Sequence, residues 1–154
     1  MFKIVLFEPE IPPNTGNIIR LCSNMGAELH LIKPLGFDLD DKKLRRAGLD
    51  YNEWVNVKQH ESYEEFLAEV KPERVFACST HGTKRYCDVE FKAGDAFLMG
   101  PETRGLPKSL MASLPVENVI TLPMFPNNRS LNLSNATAII LYEAWRQNDF
   151  FGAS

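Results

Sequence analysis

With 154 residues, 44% of them hydrophobic and 24% charged, the chain has the composition of an ordinary globular protein, which excludes a disordered, collagen-like or coiled-coil chain. Its 17 Lys and Arg residues against 20 Asp and Glu give a net charge of −3, so a polyanion would have to bind at a local basic patch. The three widely spaced cysteines are typical of reduced thiols and not of a secreted disulfide scaffold.

The beginning of the chain predicts a cytoplasmic protein. Its apolar stretch, residues 2–7, is interrupted by Glu8 and Pro9 and is too short for a signal peptide or a membrane span. No repeat, low-complexity segment or linker follows. We therefore expect a single domain over residues 1–154.

The order of the predicted elements indicates an α/β fold. Short segments rich in β-branched or aromatic residues predict strands over 2–7, 29–33, 74–79, 96–100 and 118–122. They lack a clean polar and apolar alternation, which favours a parallel sheet covered on both faces. Helical patterns lie between and after them, over 14–26, about 40–47, 62–70 and 132–147.

The ends of these helices carry capping signals. Gly26 is placed to end the first helix and Asp40 to begin the second, while Ser62 and Glu65 form a capping-box pattern at the third. The last helix is apolar on almost every side. A helix of this kind needs a second burial surface, and we expect Leu141 and Trp145, or their neighbours, to supply it in a homodimer.

The first candidate functional motif follows the first strand, from Asn14 to Arg20. A capped helix start explains Asn14 and Gly16, but it does not explain Arg20, which shares a helical side with Gly16 and Asn17. Helix N-terminal amides together with a guanidinium suit a phosphate or a developing oxyanion.

Two further motifs follow later strands. The segment from Gly100 to Leu106 runs from a buried strand into a glycine-rich loop, where parallel sheets place ligands, although a plain turn would look similar. The segment from Leu122 to Ala136 carries more Asn and Ser side chains than one helix cap at Asn132 or Ser130 requires.

Other chemistries lack their motifs. The chain has no nucleophile-elbow serine, Walker loop or dinucleotide-binding glycine pattern. His30, His60 and His81 are scattered along the chain, and the one close group, Cys78, His81 and Cys87, has irregular spacing. We therefore expect no metal.

Together the three motifs resemble those of the SPOUT RNA methyltransferases. The segments from Glu8 to Cys22 and from Asp40 to Tyr51 narrow the resemblance to the minimal tRNA (cytidine(34)-2′-O)-methyltransferase group, over essentially the whole chain and without a separate RNA-binding domain. The resemblance implies a parallel α/β sheet whose C-terminal part forms a deep trefoil knot, and it implies homodimers with shared sites.

The resemblance also implies S-adenosylmethionine as cofactor, with S-adenosylhomocysteine as product. The cofactor would be held by residues at three strand ends, namely Cys78 and Thr80, Gly100, Glu102 and Gly105, and Leu122, Met124, Ser130 and Leu131. Cys78 stands where relatives often have an apolar residue, so packing against adenine is expected of it and not thiol chemistry.

The reaction implied is methyl transfer to the ribose 2′-hydroxyl of the wobble nucleotide, cytidine or modified uridine, in the anticodon stem-loop of tRNA, with leucine isoacceptors as substrates. Arg20 is the implied catalytic residue. Because guanidinium is almost always protonated, phosphate positioning and oxyanion stabilisation are expected of it, although a role as base stays open. Substrate contacts are expected from Asn14, Asn17, Arg45, Arg46, Arg129 and Tyr142.

Other functions stay open at this stage. A solvated helix face explains the basic residues around Arg45 and Arg46 as well as RNA binding does. An RNA-binding or ribosome-assembly factor could keep the fold without the chemistry. An rRNA 2′-O-methyltransferase could share both the fold and the chemistry. A nucleotide-dependent enzyme on a flavodoxin-like sheet is a further alternative, but the chain lacks the phosphate-binding glycine loop that such an enzyme needs.

Overall fold

The structure is a computed structural model that describes residues 1–154. Its strands are β1 Lys3–Phe7, β2 Glu28–Ile32, β3 Lys58–His60, β4 Val75–Cys78, β5 Lys84–Arg85, β6 Ala96–Met99 and β7 Val119–Thr121. Its helices are α1 Pro12–Met25, α2 Asp41–Arg46, α3 Tyr51–Trp54, α4 Tyr63–Val70, α5 Lys108–Ala112 and α6 Leu133–Gln147. None of the helices combines the length and apolar content that a membrane crossing requires.

The seven strands form one sheet in the order β3-β2-β1-β6-β4-β7-β5, and every neighbouring pair is parallel. Side chains of β1 alternate between two apolar layers, as the pleat requires. Ile4 packs in the layer that contains Ile18 of α1 and Ile140 of α6, whereas Val5 packs with Phe66 of α4 on the other face. The predicted parallel sheet, covered on both faces, is confirmed.

Most of the predicted caps are present. Gly26 adopts a left-handed φ of 70° and ends α1, the Asp40 carboxylate accepts the N–H of Lys43 at 2.8 Å, and the Asn132 side chain accepts the N–H of Ser134 at 2.9 Å. The capping box at α4 is only half formed. Ser62 accepts the N–H of Glu65, but the Glu65 carboxylate accepts the N–H of Glu61.

Four short elements were not predicted: β3, β5, α3 and α5. The two strands consist mainly of polar and charged residues, Lys58 to His60 and Lys84 to Arg85, because they lie at the two edges of the sheet. Edge strands need little apolar surface, so the apolar pattern that predicts central strands is missing from them.

The expectation for the last helix is corrected at Leu141. This residue is 0% exposed because it packs in the chain's own core with Ile140 and Ala144. The exposed apolar surface of α6 instead includes Ile139 and Tyr142, which is 45% exposed. The helix therefore buries one face within its own chain and leaves a neighbouring apolar face open.

Candidate active site

The three motifs are joined through one buried side chain, that of Asn14. Its Nδ2 donates a hydrogen bond to Oε2 of Glu102 at 3.2 Å, and its Oδ1 accepts one from Nδ2 of Asn132 at 2.9 Å. Asn14 is only 5% exposed. The fold thus brings the first, second and third motifs together. Both ends of the Asn14 carboxamide are bonded within the protein, and contact of Asn14 with substrate stays a prediction.

Glu102 connects the glycine-rich loop to the segment before α1. Its two carboxylate oxygens accept the backbone N–H groups of Glu10 and Ile11 at 2.8 and 2.9 Å. In return, Glu10 accepts the backbone N–H of Thr103 at 2.9 Å, and that hydrogen bond is the main cause that lowers the pKa of Glu10. The Glu102 carboxylate is therefore engaged with the chain itself, so its predicted cofactor contact would have to come from its backbone.

Gly100 directly follows β6, where the loop folds back on the strand. A Cβ atom at this position would lie 2.5 Å from the backbone nitrogen of Leu106 and 2.8 Å from the carbonyl carbon of Gly105. Real Cβ contacts are never this short, so only glycine allows the loop to close here. The space next to Gly100 is filled by the loop's own backbone, which shapes the loop that was predicted to hold the cofactor.

Arg20 lies on α1 and reaches across to the segment that enters α3. Its Nε donates to Oε2 of Glu53 at 2.9 Å, and its Nη2 donates to Oε1 of Glu53 at 3.3 Å and to the carbonyl of Gly48. The hydrogen bond that Arg20 donates to Glu53 is the main cause that raises the pKa of Arg20. Hydrogen bonds occupy Nε and Nη2, so the two N–H groups of Nη1 are left to face other groups.

A cavity of about 330 Å³ opens beside the guanidinium. Its wall includes Gly16, Asn17 and Arg20, the three residues predicted to share one side of α1, and that prediction is confirmed. The opposite wall comes from the α2 region, with Lys43 and Leu44. A volume of this size lies in the range of small-molecule sites.

The remaining predicted cofactor residues lie at or after the ends of β4 and β7 and in the loop after β6. Cys78 ends β4, and burial raises the pKa of its thiol well above the ordinary value, so the thiol stays neutral. Met124 and Leu131 are exposed apolar side chains in the segment after β7, and Phe125 between them is 85% exposed. Thr80, Gly105 and Ser130 are also exposed, and Leu122 is half-buried.

Apart from the buried Asn14, the predicted RNA-binding side chains are exposed but spread over several elements. Arg45 and Arg46 lie on α2, next to the cavity wall, and the Arg45 guanidinium lies 6.0 Å from the centre of the Trp54 ring. Arg129 is exposed in the segment before α6, and Tyr142 is exposed on α6 itself. Arg45 and Arg46 thus lie near Arg20, whereas Tyr142 belongs to the open face of α6.

Sequence reasoning missed Glu53 as the partner of Arg20. The Asp50 and Glu53 pair carries a capping-box signature, which could have predicted α3. No local signal links Glu53 to Arg20, because the two residues are 33 positions apart.

Comparison with known proteins shows the family of the chain. Residues 1–142 match the SpoU rRNA Methylase family. A tRNA (cytidine(34)-2′-O)-methyltransferase from Methylovorus glucosotrophus is 58% identical over 99% of both chains. A solved structure that concerns 2-OH methylation of C/U34 on tRNA is 43% identical, with a TM-score of 0.88 over 97% of each chain.

A third similar protein is the SpoU methyltransferase AviRb from Streptomyces viridochromogenes, solved in complex with the cofactor AdoMet. It is 26% identical, with a TM-score of 0.81 over 96% of this chain and 57% of its own. The family match spans most of the chain, and the first relative matches it almost end to end. This chain therefore belongs to the SpoU rRNA methylase family.

Proposed function

We propose that this chain methylates the ribose 2′-hydroxyl of nucleotide 34 of tRNA with S-adenosylmethionine as donor. The observation that carries the proposal is Arg20, a guanidinium held by Glu53 on the wall of a cavity with one nitrogen free. The relative with 58% identity, named for methylation of cytidine 34, and the structure concerned with C/U34 support the choice of nucleotide. Leucine isoacceptors are the substrates that we propose.

The residues around the ends of β4, β6 and β7 fit the cofactor. Leu122, Met124 and Leu131 offer apolar surface to an adenine ring, and the half-buried Cys78 thiol, whose pKa desolvation raises, adds no charge. The AviRb structure with AdoMet supports the same cofactor here. When bound, S-adenosylmethionine supplies the methyl group on its sulfonium. The trefoil knot stays part of the proposal, supported by β7, which lies between the earlier strands β4 and β5.

Arg20 acts as a cation in this proposal and not as a base. Since Glu53 raises the pKa of Arg20 above its already high ordinary value, the guanidinium keeps its proton throughout the reaction. Its free Nη1 donates hydrogen bonds to the phosphate next to the target ribose and to the 2′-oxygen as negative charge develops there. The proton of the 2′-hydroxyl passes to solvent water as the new C–O bond forms, and S-adenosylhomocysteine is the leaving group. Glu53 fixes the orientation of the guanidinium plane.

The RNA partner is the anticodon stem-loop, which we propose to lie across α2. Arg45 and Arg46 are exposed there without ion-pair partners, next to the cavity that contains Arg20. The open face of α6, with Ile139 and Tyr142, supports a homodimer. The whole of residues 1–154 then acts as one domain, in the cytoplasm, where tRNA is modified.

Nucleoside mapping in cells tests this function. Mass spectrometry of tRNA from a strain that lacks the gene should show nucleotide 34 without its 2′-O-methyl group, and a restored gene should return it. The family description and one related structure, from Sinorhizobium meliloti, concern rRNA methylation, so the same digest is applied to rRNA. A methyl group lost from rRNA, with nucleotide 34 unchanged, would contradict the proposal in favour of an rRNA enzyme.

A further inference from the structure

His60, Glu65 and Glu69 form a cluster on the side of the sheet away from Arg20, between β3 and α4. One nitrogen of His60 and one carboxylate oxygen of each glutamate all lie within 4.8 Å of one another. We propose that this cluster binds a divalent transition-metal cation of the Zn²⁺ class. The sequence predicts no metal, because these three residues lie in no known metal-binding spacing, but the fold brings them together.

The buried imidazole of His60 is the strongest observation. The residue is 2% exposed, and its Nδ1 has no hydrogen-bond partner. Nδ1 lies 3.3 Å from Oε2 of Glu69, outside hydrogen-bond geometry. A buried polar atom without a partner is costly, so its orientation toward two carboxylates needs an explanation.

A hydrogen-bonded chain behind His60 defines which nitrogen is free. The Glu28 carboxylate lies 3.0 Å from Nε2 of His30, and Nδ1 of His30 lies 2.9 Å from Nε2 of His60. A carboxylate only accepts, so Nε2 of His30 donates to it, and Nδ1 of the neutral ring accepts from Nε2 of His60. Nδ1 of His60 then carries a lone pair, and it lies 3.3 Å from Oε2 of Glu69.

A lone pair this close to a carboxylate oxygen is unfavourable, and a cation bound by both atoms removes the repulsion. Metal-bound histidines commonly donate their other N–H to a second group, as His60 does to His30. Bonds of about 2.0–2.1 Å to a tetrahedral ion place neighbouring ligand atoms about 3.3 Å apart, which matches Nδ1 and Oε2 of Glu69. One imidazole and two carboxylates leave a fourth position for water, a set that suits Zn²⁺ better than Mg²⁺ or Ca²⁺.

The two glutamates reach the site because they are four residues apart on α4 and so share one helix face. His60 ends the edge strand β3, which is the outermost strand of the sheet. A cation here would therefore tie the edge strand to α4. Binding to the folded state alone raises the melting temperature, by about 5–10 °C at a hundredfold excess over the dissociation constant.

Calorimetric titration of chelator-treated full-length protein with ZnCl₂ tests the proposal. We expect one site per chain and an increase in melting temperature in the same buffer. Glu65→Gln and Glu69→Gln should each weaken binding about tenfold or more. Glu64→Gln is the matched control, because Glu64 is exposed on the same helix outside the cluster, and binding should stay within about twofold of the unchanged protein.

Two results would overturn the metal site. The first is the absence of saturable Zn²⁺ binding up to millimolar concentration, which would leave His60 as a buried imidazole beside Glu69 with no metal role. The second is binding that survives Glu69→Gln but disappears in Cys87→Ser, which would assign the metal to the exposed thiol. Titration with Co²⁺ distinguishes the proposed site from the Cys87 thiol by a second method. The proposed nitrogen and oxygen ligands produce no thiolate-to-metal charge-transfer absorption, whereas a thiolate ligand does.

Discussion

Arg20 and Glu53 form a two-point ion pair, with Nε to Oε2 at 2.9 Å and Nη2 to Oε1 at 3.3 Å. The same carboxylate accepts the backbone N–H of Asp50 at 2.8 Å and so begins α3. The position of the guanidinium is thereby tied to the start of a helix in another part of the chain. Such a two-point contact restricts a planar guanidinium far more than a single hydrogen bond does.

Replacement of Arg20 should remove methyl transfer without unfolding the protein. Arg20→Ala is expected to lower kcat/KM for tRNA by about 100-fold or more, the usual effect of losing one donor to a developing oxyanion. Arg20→Lys should recover only part of the activity, because an ammonium lacks the planar fork. Steady-state methylation and calorimetry with S-adenosylmethionine check the two effects. Near-normal turnover of Arg20→Ala would contradict the assignment, and so would a parallel loss of cofactor affinity.

Glu53→Gln should act through Arg20. The guanidinium keeps its charge but loses its orientation, so we expect kcat to fall about tenfold while KM for the cofactor stays unchanged. Asp50→Asn is the matched control, since asparagine caps a helix as well as aspartate and Asp50 makes no hydrogen bond to Arg20. Equal losses in the two variants would assign the effect to α3 and not to the ion pair.

Gly100→Ala should destabilise the loop after β6. Its Cβ would overlap the backbone of Gly105 and Leu106, and overpacking of this kind costs about 1–3 kcal/mol. Cofactor affinity should fall as well, because the loop must move away from the strand. Urea unfolding measures the first effect and calorimetry the second.

Gly16→Ala is the stability control for that substitution. Its Cβ would meet only Leu49 Cδ1, at 4.0 Å, and alanine favours a helix interior over glycine by about 1 kcal/mol. The unfolding free energy of Gly16→Ala should therefore be unchanged or increased. A Gly100→Ala protein as stable as the parent would show that the loop relaxes freely.

Substitutions on α6 should separate the core from the proposed dimer interface. Leu141→Glu places a charge in the chain's own core and should unfold the protein. Tyr142→Glu and Ile139→Glu lie on the open face and should yield folded monomers with lower activity. Circular dichroism with light scattering distinguishes the two outcomes. A dimer that persists in both surface variants would exclude this face as the interface.

Sequence patterns predicted the central strands, because most of their residues are apolar and are buried on both faces of the sheet. They also predicted the caps at Gly26, Asp40 and Asn132, since capping depends on a few neighbouring residues. The polar edge strands and the burial of Leu141 were not predictable in this way. Both depend on where the sheet ends and on which side of α6 packs against it.

The candidate site also has features that local sequence patterns predict and features that depend on the fold. The motif around Arg20 was recognisable because Gly16, Asn17 and Arg20 lie within two helical turns. The bonds from Asn14 to Glu102 and from Arg20 to Glu53 join residues 88 and 33 positions apart, so no periodicity reports them. The cluster of His60 with Glu65 and Glu69 escaped a search for metal motifs for a related reason, since it joins a strand to a helix.

Methylation of a synthetic anticodon stem-loop is the most direct test of the central claim. Purified protein and labelled S-adenosylmethionine are incubated with a leucine tRNA stem-loop that carries cytidine at position 34, and with the same RNA carrying 2′-deoxycytidine there. The account predicts one methyl group per RNA on the first and none on the second. Equal transfer to both RNAs would contradict it, because the methyl acceptor could not then be the 2′-hydroxyl of nucleotide 34.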